Sequence, residues 1–197
     1  MRLIAITGSI GMGKSTVAKM FGEAGLPLFD ADAEVRAMQG PGGSLVAAIS
    51  EAFPEAIANG QLDRELLANI VLEQPSRLKR LEAIVHPAVQ EARRKFVSAN
   101  SAAPALVFEI PLLFETKGDT QFDTVIVVSA PAEIQRERVL ARAGMTASRL
   151  NSILARQMRD SDKRERADFV IETGGGIDDT RLQVHKILAC LDLPMRG

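Results

Sequence analysis

The chain has 197 residues, 46% of them hydrophobic, and a formal net charge of −1 at pH 7. This length allows one well-packed core with inserted segments, while the near-neutral charge disfavours a nucleic-acid binder, which usually has a strongly basic face. A single cysteine excludes an internal disulfide, and the apolar start of the sequence is too short for a signal peptide. No run of about 18 apolar residues predicts a membrane span. We therefore expect a cytoplasmic location.

Short apolar runs alternate with helical patterns along the chain. The sequence predicts strands at residues 3–7, 26–29, 105–108, 124–129 and 169–171. It predicts helices at 14–23, in several pieces between 62 and 97, at 132–143, at 147–159 and around 184–191. Because the strands are apolar throughout, as in a parallel sheet covered on both sides, we expect an α/β fold with a parallel five-stranded sheet and helices on both faces.

Three local signals refine the helical predictions. Asp63 is placed to cap the helix that follows it. His86-Pro87 is expected to end one helix, because the residue before a proline avoids the helical region, and Pro87 then begins another. The aspartates Asp178 and Asp179 are expected to cap the last helix, in which Cys190 is expected to pack into the core and His185 to be exposed.

Two long helical stretches separate the predicted strands within a single domain of residues 1–197. They predict a core of 1–32, 101–130 and 167–197, a substrate-side insertion of 33–100 and a lid of 131–166. The lid contains nine Lys/Arg against five acids, a surplus of four positive charges (nine minus five). This surplus fits either a solvated face laced with ion pairs or contact with a polyanion, and the nucleotide motif described next favours the polyanion.

Residues 8–15 match the pattern G-x-x-x-x-G-K-S between a predicted strand and a predicted helix. Glycines let successive N–H groups point inward at phosphate oxygens, and the helix N-terminus adds partial positive charge. Lys14 supplies a full charge for the β- and γ-phosphates, and Ser15 offers its hydroxyl to Mg²⁺. We therefore predict an ATP site formed by Gly8, Gly11, Met12, Gly13, Lys14, Ser15 and Thr16, with the side chain of Met12 directed away from the phosphates.

The class of P-loop protein is narrowed by what the chain lacks. It has no guanine-reading N-K-x-D motif, and it is too short for a second catalytic domain. Small-molecule kinases are therefore the natural class. Two rivals stay open on the residues alone, a kinase of a nucleoside or sugar and a nucleotide-binding regulatory module without catalysis.

Beyond the P-loop, the chain resembles dephospho-CoA kinases over about residues 2–176. The resemblance is carried by Asp30-Ala31-Asp32, Leu62-Asp63-Arg64, His86-Pro87, Pro111 to Glu115, and the lid pattern from Gln135 to Gln157. It implies ATP-dependent phosphorylation of the ribose 3′-hydroxyl of dephospho-CoA, with Mg²⁺, by a monomer or weak homo-oligomer without nucleic-acid or membrane partners. Three residues depart from the family's common pattern: Ser9, Met12 and Glu172, the last standing where an Asn is frequent.

The resemblance also implies roles for individual residues. Asp32 is expected to orient the acceptor hydroxyl and take its proton, although it can instead cap a helix. Lys14 and Arg138 are expected to act in catalysis, and Arg138 and Arg142, four residues apart on one predicted helix face, to bind ATP unless they pair with neighbouring acids. Substrate contacts are expected from Asp32, Arg64, His86 and Glu115. Glu109 and Glu115 are each candidates to hold water on Mg²⁺, and His86 can equally be a contact at a helix junction.

Overall fold

The computed structural model describes residues 1–72 and 74–194, in which strands alternate with helices as the sequence predicts, with some elements added or joined. The strands are β1 (Arg2–Thr7), β2 (Leu28–Asp30), β3 (Ile57–Ala58), β4 (Gln61–Leu62), β5 (Ala105–Glu109), β6 (Thr124–Ser129) and β7 (Phe169–Glu172). The helices are α1 (Lys14–Glu23), α2 (Ala31–Met38), α3 (Val46–Ala52), α4 (Arg64–Leu72), α5 (Pro75–Ala99), α6 (Ala132–Leu140), α7 (Ala147–Leu154), α8 (Asp160–Glu165) and α9 (Ile177–Cys190). They belong to two units, one of residues 1–29 and those from 100 onward, the other of residues 30–99.

The first unit contains a five-stranded parallel sheet, as the sequence predicts. The structure gives the strand order as β2-β5-β1-β6-β7. The central strand β1 pairs with both neighbours, so that Ile4 lies opposite Val107 on one side and Thr124 on the other. The carboxyl ends of parallel strands meet at one edge of a sheet, and ligands of such folds bind at that edge.

Alternate residues of the central strands enter two different cores. Ile4 and Ile6 of β1 belong to the larger core, whose helical members come from α1 and α9. Ala5, between them, belongs to a second core with Leu113 and Phe114 from the segment after β5. Because successive side chains of a strand point to opposite faces, both faces of the sheet are covered, which explains why its strands are apolar throughout.

The ends of the lid helices differ from the prediction. Helix α6 ends at Leu140 instead of residue 143, and Gly144 follows with a positive φ of 73° that a continuing helix does not accept. Arg142 therefore lies in the turn beyond the helix and does not share a helix face with Arg138. The predicted helix 147–159 is α7, capped by Thr146, followed by a separate helix α8 that the sequence did not predict.

The second unit is built on α5, which packs against α2, α3 and α4. The prediction that His86-Pro87 ends a helix is wrong, since Pro87 lies inside α5. Leu81 and Ile84 before the proline, and Ala88 after it, all pack against the core of this unit. Burial on both sides of Pro87 thus outweighs the lost backbone hydrogen bond, which costs about 3 kcal/mol in an unsupported helix.

A short hairpin in the second unit also went unpredicted. The strands β3 and β4 pair antiparallel, and Asn59-Gly60 connects them with φ angles of 52° and 76°. Asn-Gly is the typical two-residue connection for such a turn. Asn59-Gly60 therefore indicates a hairpin turn in the sequence. The strands on either side have two residues each, which is too short to show an alternation of apolar and polar residues.

Three predictions on helix ends and on the last helix have mixed outcomes. Asp63 accepts hydrogen bonds from the backbone N–H groups of Glu65 (2.9 Å) and Leu66 (3.0 Å), which confirms the predicted cap. Asp179 Oδ2 accepts from the Gly176 N–H at 3.3 Å, whereas no such contact is described for Asp178. His185 is exposed as predicted, but so is Cys190, which is not in the core. None of the helices described is both long and apolar enough to cross a membrane.

Candidate functional site

The loop between β1 and α1 has the conformation that its glycines permit. Gly8 passes so close to β6 that a Cβ atom there would lie 2.3 Å from the carbonyl oxygen of Val128. Gly13, the residue before α1, has a φ of 90°, in the region that glycine adopts without strain. The loop therefore turns tightly at the carboxyl end of the central strand and leads directly into the N-terminus of α1, where anions bind well.

The functional side chains that follow the loop begin α1. Lys14 is half-buried, and its Nζ donates to the carbonyl oxygen of Ser9 at 3.2 Å. Ser15 Oγ donates to Glu109 Oε1 at 2.8 Å, and Thr16 is exposed beside it. Glu109 is the last residue of β5 and is only 6% exposed, so a buried carboxylate stands directly behind the serine hydroxyl.

The pair of Ser15 and Glu109 fits a magnesium ion by its chemistry. A hydroxyl and a carboxylate are hard oxygen ligands, which Mg²⁺ prefers, and Mg²⁺ in phosphate sites usually takes few protein ligands beside water and phosphate oxygens. Among the described residues there is no cluster of three or more His, Cys, Asp or Glu that would form a protein cage for a metal. The arrangement thus favours Glu109 over Glu115 as the residue near the metal.

The outer part of the loop is held by two glutamine side chains. Gln135 of α6 donates from Nε2 to the carbonyl oxygen of Ile10 at 2.8 Å. Gln157, in the turn before α8, accepts the Ile10 N–H at 3.1 Å through Oε1. Next to it, a Cβ on Gly11 would lie 2.5 Å from a methyl group of Val139. The backbone N–H and the carbonyl oxygen of Ile10 are therefore both held by residues 131–166, the predicted lid.

Met12 is 2% exposed and belongs to the larger core, which confirms that its side chain points away from the loop interior. Its sulfur accepts the backbone N–H of Ala130 at 3.1 Å. The residue thus ties the loop to the end of β6, and any contact with a nucleotide comes from its backbone.

Arg138 of α6 makes two hydrogen bonds to a single residue after β7. Its Nη1 donates to Thr173 Oγ1 at 3.0 Å and its Nη2 to the Thr173 carbonyl oxygen at 2.6 Å. The same hydroxyl lies 2.7 Å from the carbonyl oxygen of Met12 and would be 3.4 Å from a Cβ on Gly13. Arg138 is therefore anchored beside the phosphate loop, and the alternative, an ion pair with Glu133 or Glu137, is not what holds it.

The basic residues of the lid divide into two groups. Towards its carboxyl end the cations form ion pairs, Arg159 with Asp162, Lys163 with Glu115, Arg164 with Glu172 and Arg166 with Asp119. For the remaining arginines the described part of the chain shows no ion pair; they are Arg136, Arg138, Arg142, Arg149 and Arg156. The ion-pair interpretation thus holds for one half of the lid, and the other half carries positive charge without an ion pair among the described residues.

Glu115 is committed to a buried ion pair. Its Oε1 lies 2.9 Å from Nζ of Lys163, which is 0% exposed, and also accepts the Met158 N–H at 2.8 Å. Burial alone would raise the pKa of the Glu115 carboxyl, but the hydrogen bonds from Lys163 and Met158 outweigh it and leave this pKa below its ordinary value. This geometry ties the segment after β5 to α8, so the expectation that Glu115 contacts substrate has no direct support here.

Two neighbouring aspartates have different surroundings in the second unit. Asp30 caps α2, since its Oδ1 accepts the Ala33 N–H at 2.8 Å, and its other oxygen lies 3.7 Å from Arg36. Asp32 lies in the first turn of α2 and is exposed. The alternative that Asp32 is the helix cap is therefore wrong, and so is the extended geometry expected from Asp30 to Asp32, because the helix begins at Ala31.

The other two expected substrate residues are also exposed in the second unit. Arg64 is the first residue of α4 and lines a depression of about 690 Å³ with Gly42, Asn59 and Gly60. His86 lies on α5 directly before Pro87 and is exposed, so it is not a contact at a helix junction.

Gln135, Gln157 and Thr173 are the functional candidates that the sequence reasoning missed. Each is polar and follows or joins an element at the carboxyl edge of the sheet, where ligands of such folds bind. That position was a usable signal for Thr173, which directly follows β7. For Gln135 and Gln157 the sequence gives no comparable indication, because both bind the backbone of Ile10 and no sequence pattern marks such a contact.

A family model described as "Dephospho-CoA kinase" matches residues 2–179. A curated dephospho-CoA kinase of Rhodopseudomonas palustris is 48% identical over 199 residues, which cover 100% of this chain and 99% of that protein. A curated dephospho-CoA kinase of Bradyrhizobium diazoefficiens is 49% identical over the same coverage.

Solved structures agree with the fold. A Thermus thermophilus protein matches with a TM-score of 0.84 and 38% identity, over 96% of this chain and 97% of that one. A dephospho-CoA kinase from Campylobacter jejuni matches with a TM-score of 0.69 and 23% identity, over 95% of each chain. A shikimate kinase from Acinetobacter baumannii matches with a TM-score of 0.53 and 19% identity, over 97% of this chain and 93% of that one, which is a likeness of fold alone.

Proposed function

This chain belongs to the dephospho-CoA kinase family, and from that premise we propose how its residues transfer the γ-phosphoryl group of ATP to the ribose 3′-hydroxyl of dephospho-CoA. The observation that carries the proposal is the intact phosphate loop with its supporting side chains, Lys14, Ser15 backed by Glu109, and Arg138 anchored on Thr173. Enzymes of this class act mostly by positioning groups and neutralising charge.

On the donor side, the backbone N–H groups of the loop and the N-terminus of α1 bind the β- and γ-phosphates. Lys14 exchanges its contact with the Ser9 carbonyl for phosphate oxygens, which are charged and therefore the stronger acceptors. Arg138 and Arg142 add positive charge where negative charge develops during the transfer.

A magnesium ion bound with ATP would neutralise phosphate charge. Ser15 would hold it directly, and Glu109 would hold a water molecule on it while accepting the serine hydroxyl. The 2.8 Å contact between Ser15 and Glu109 supports this assignment, because it fixes the serine oxygen in a single orientation.

On the acceptor side, residues 33–100 bind dephospho-CoA and residues 131–166 act as the lid. Asp32 accepts the proton of the 3′-hydroxyl; its exposure, and the fact that Asp30 supplies the helix cap, support this role. Arg64 and His86 contact the anionic substrate from exposed positions on α4 and α5. Glu115 contributes indirectly, by holding α8 through Lys163.

The test is ADP release from ATP with purified protein and a panel of acceptors. We expect rapid ADP release with dephospho-CoA and background release with adenosine, other nucleosides and sugars, and we expect the product to carry its new phosphate on the ribose 3′-oxygen. Fast turnover of a nucleoside or sugar with no reaction of dephospho-CoA would contradict the proposal. The cytoplasmic location and the oligomeric state stay predictions.

A further inference from the structure

Thr173 has more polar contacts near the phosphate loop than its position after the last strand requires. Its N–H donates to the Ser129 carbonyl oxygen at 2.8 Å, which continues the pairing of β6 and β7. Its hydroxyl and its carbonyl oxygen are both engaged by the guanidinium of Arg138. The side chain itself is only 6% exposed, so these contacts are shielded from water.

The direction of each hydrogen bond is fixed by what each group can donate. The Thr173 hydroxyl has one proton, and the nearest acceptor is the Met12 carbonyl oxygen at 2.7 Å. Its lone pairs are then left to accept from Arg138 Nη1, because a guanidinium only donates. A single hydroxyl thus connects the backbone of the phosphate loop to the lid arginine.

We propose that Thr173 is a positioning residue for Arg138, which it holds beside the phosphate loop before the nucleotide binds. Two of the donors of the guanidinium are used on Thr173, and the others stay available for phosphate oxygens. The inference rests on the proposed phosphate contact of Arg138, but not on which acceptor the enzyme phosphorylates.

This arrangement reduces the cost of recruiting the arginine. An arginine side chain loses rotamer entropy when it is fixed in one geometry. The two bonds to Thr173 offset this loss. Nucleotide binding and phosphoryl transfer therefore meet a charge that is already in place.

The test measures the affinity for the non-hydrolysable β,γ-imido analogue of ATP, and kcat with dephospho-CoA, in Thr173→Val and Thr173→Ser. Valine keeps the shape and removes the hydroxyl, so analogue affinity and kcat should each fall about tenfold, a typical factor for a lost hydrogen bond to a charged group. Serine keeps the hydroxyl and should restore both to within about threefold of the wild type. Thr180→Val is the matched control, because Thr180 is also buried (3% exposed) but donates to the carbonyl oxygen of Gly176, the residue before α9, and we expect it to change neither quantity.

The decisive comparison repeats Thr173→Val in an Arg138→Met background. If Thr173 acts through the arginine, the valine variant should have no further effect there on analogue affinity or on kcat. An equal loss in both backgrounds would overturn the proposal and make Thr173 a structural residue of the loop. If instead dephospho-CoA is not the acceptor, the wild type fails in turnover while the affinity comparison still decides the role of Thr173.

Discussion

Asp30 and Asp32 are two residues apart and have separate tasks. Asp30 is occupied in capping α2 and in its contact with Arg36, whereas Asp32 is exposed in the first turn of the helix. A capping carboxylate that also served the substrate would have to give up its cap, which contributes about 1 kcal/mol to stability. Because the cap is supplied by Asp30, Asp32 is available for substrate.

Asp32→Asn should fold as stably as the wild type and lose about 10²-fold in kcat, the lower end of the usual worth of a positioned base, because phosphoryl transfer has a loose transition state. Its affinity for ATP should barely change. Asp30→Ala is the contrasting variant, which should lose about 1 kcal/mol of unfolding free energy and keep most of its turnover. Steady-state kinetics and urea unfolding of both variants check this, and normal turnover of a stably folded Asp32→Asn protein would remove Asp32 from the mechanism.

Lys14→Ala should fold normally and lose activity by about 10²-fold or more, because charge stabilisation of the transferring phosphoryl group is the largest catalytic contribution. Lys19→Ala is the matched control, since Lys19 lies farther along the same helix, is 79% exposed and is only 4.0 Å from Glu23 in an exposed pair. We expect kinetics close to those of the wild type for Lys19→Ala. Turnover of Lys14→Ala near the wild-type rate would contradict the assignment of the loop.

The short helix α8 depends on one buried ion pair. A helix of six residues has little stability of its own, and α8 contributes Lys163, which is fully buried against Glu115. A buried charge that loses its partner is strongly destabilising. The pair therefore helps to hold a chain segment rich in charge, together with the hydrogen bond from Ser129 Oγ to Asp160 Oδ2 at 2.6 Å.

Glu115→Gln should lower the unfolding free energy by about 3 kcal/mol at pH 7, because it leaves Lys163 buried without its counter-charge. The lowered pKa of Glu115 sets the pH dependence. A carboxyl whose pKa is lower in the folded state stabilises above its unfolded pKa, about 4.3, and loses this contribution as the pH falls through the folded value.

The difference in unfolding free energy between the wild type and Glu115→Gln should consequently be largest at neutral pH and shrink below about pH 4. Urea unfolding at both pH values measures it. Adding Lys163→Met to Glu115→Gln should recover part of the stability, since an apolar pair can replace a buried ion pair. A difference that is independent of pH would show that the pair does not govern the stability of α8.

Pro87→Ala should stabilise the second unit by about 2 kcal/mol. Alanine restores a backbone N–H in the interior of α5 and relieves the clash of the proline ring, worth about 3 kcal/mol, and part of this gain is offset because alanine loosens the unfolded chain. Thermal unfolding of the variant measures the change, with Ala83→Gly, four residues earlier on the same helix, as a destabilising control. A clear loss of stability in Pro87→Ala would mean that α5 needs the proline.

The elements were predictable where the pattern was strong and local. The helix at 14–23 and the strand at 124–129 have the predicted ends, because a phosphate loop and a run of β-branched residues leave few alternatives. The continuity of α5 through Pro87 and the separate helix α8 were not predictable, since burial against distant residues decides both. The same limit applies to the site, where Lys14 and Ser15 follow from a motif but the contact of Arg138 with Thr173 joins residues 35 apart.

The residues proposed to bind the donor all come from the first unit. The phosphate loop, Glu109, Arg138 and Thr173 belong to residues 1–29 or to those after 100, whereas Asp32, Arg64 and His86 belong to residues 30–99. The five lid arginines without an ion pair in the described chain belong to the first unit as well. If the proposed roles hold, the two substrates contact different parts of the chain.

Hydrogen exchange should follow that distribution. The imido analogue of ATP with Mg²⁺ should slow exchange in the phosphate loop, in α6 and around Thr173, and leave α4 and α5 largely unchanged, because ligands protect the amides that they order. Adding dephospho-CoA should then slow exchange within residues 33–100. Protection of α5 by the ATP analogue alone, equal to that of the loop, would contradict the separate assignment of donor and acceptor.

The exposed thiol of Cys190 gives a practical route to measuring motion in this enzyme. Since it is the single cysteine, a maleimide dye attaches at one defined point at the end of α9, and with neither Trp nor Tyr in the chain the native protein adds almost no fluorescence background. A second cysteine introduced at exposed Lys95 of α5 would carry the acceptor dye. Energy transfer within single molecules would then record the distance between the two units during each cycle of substrate binding, turnover and product release.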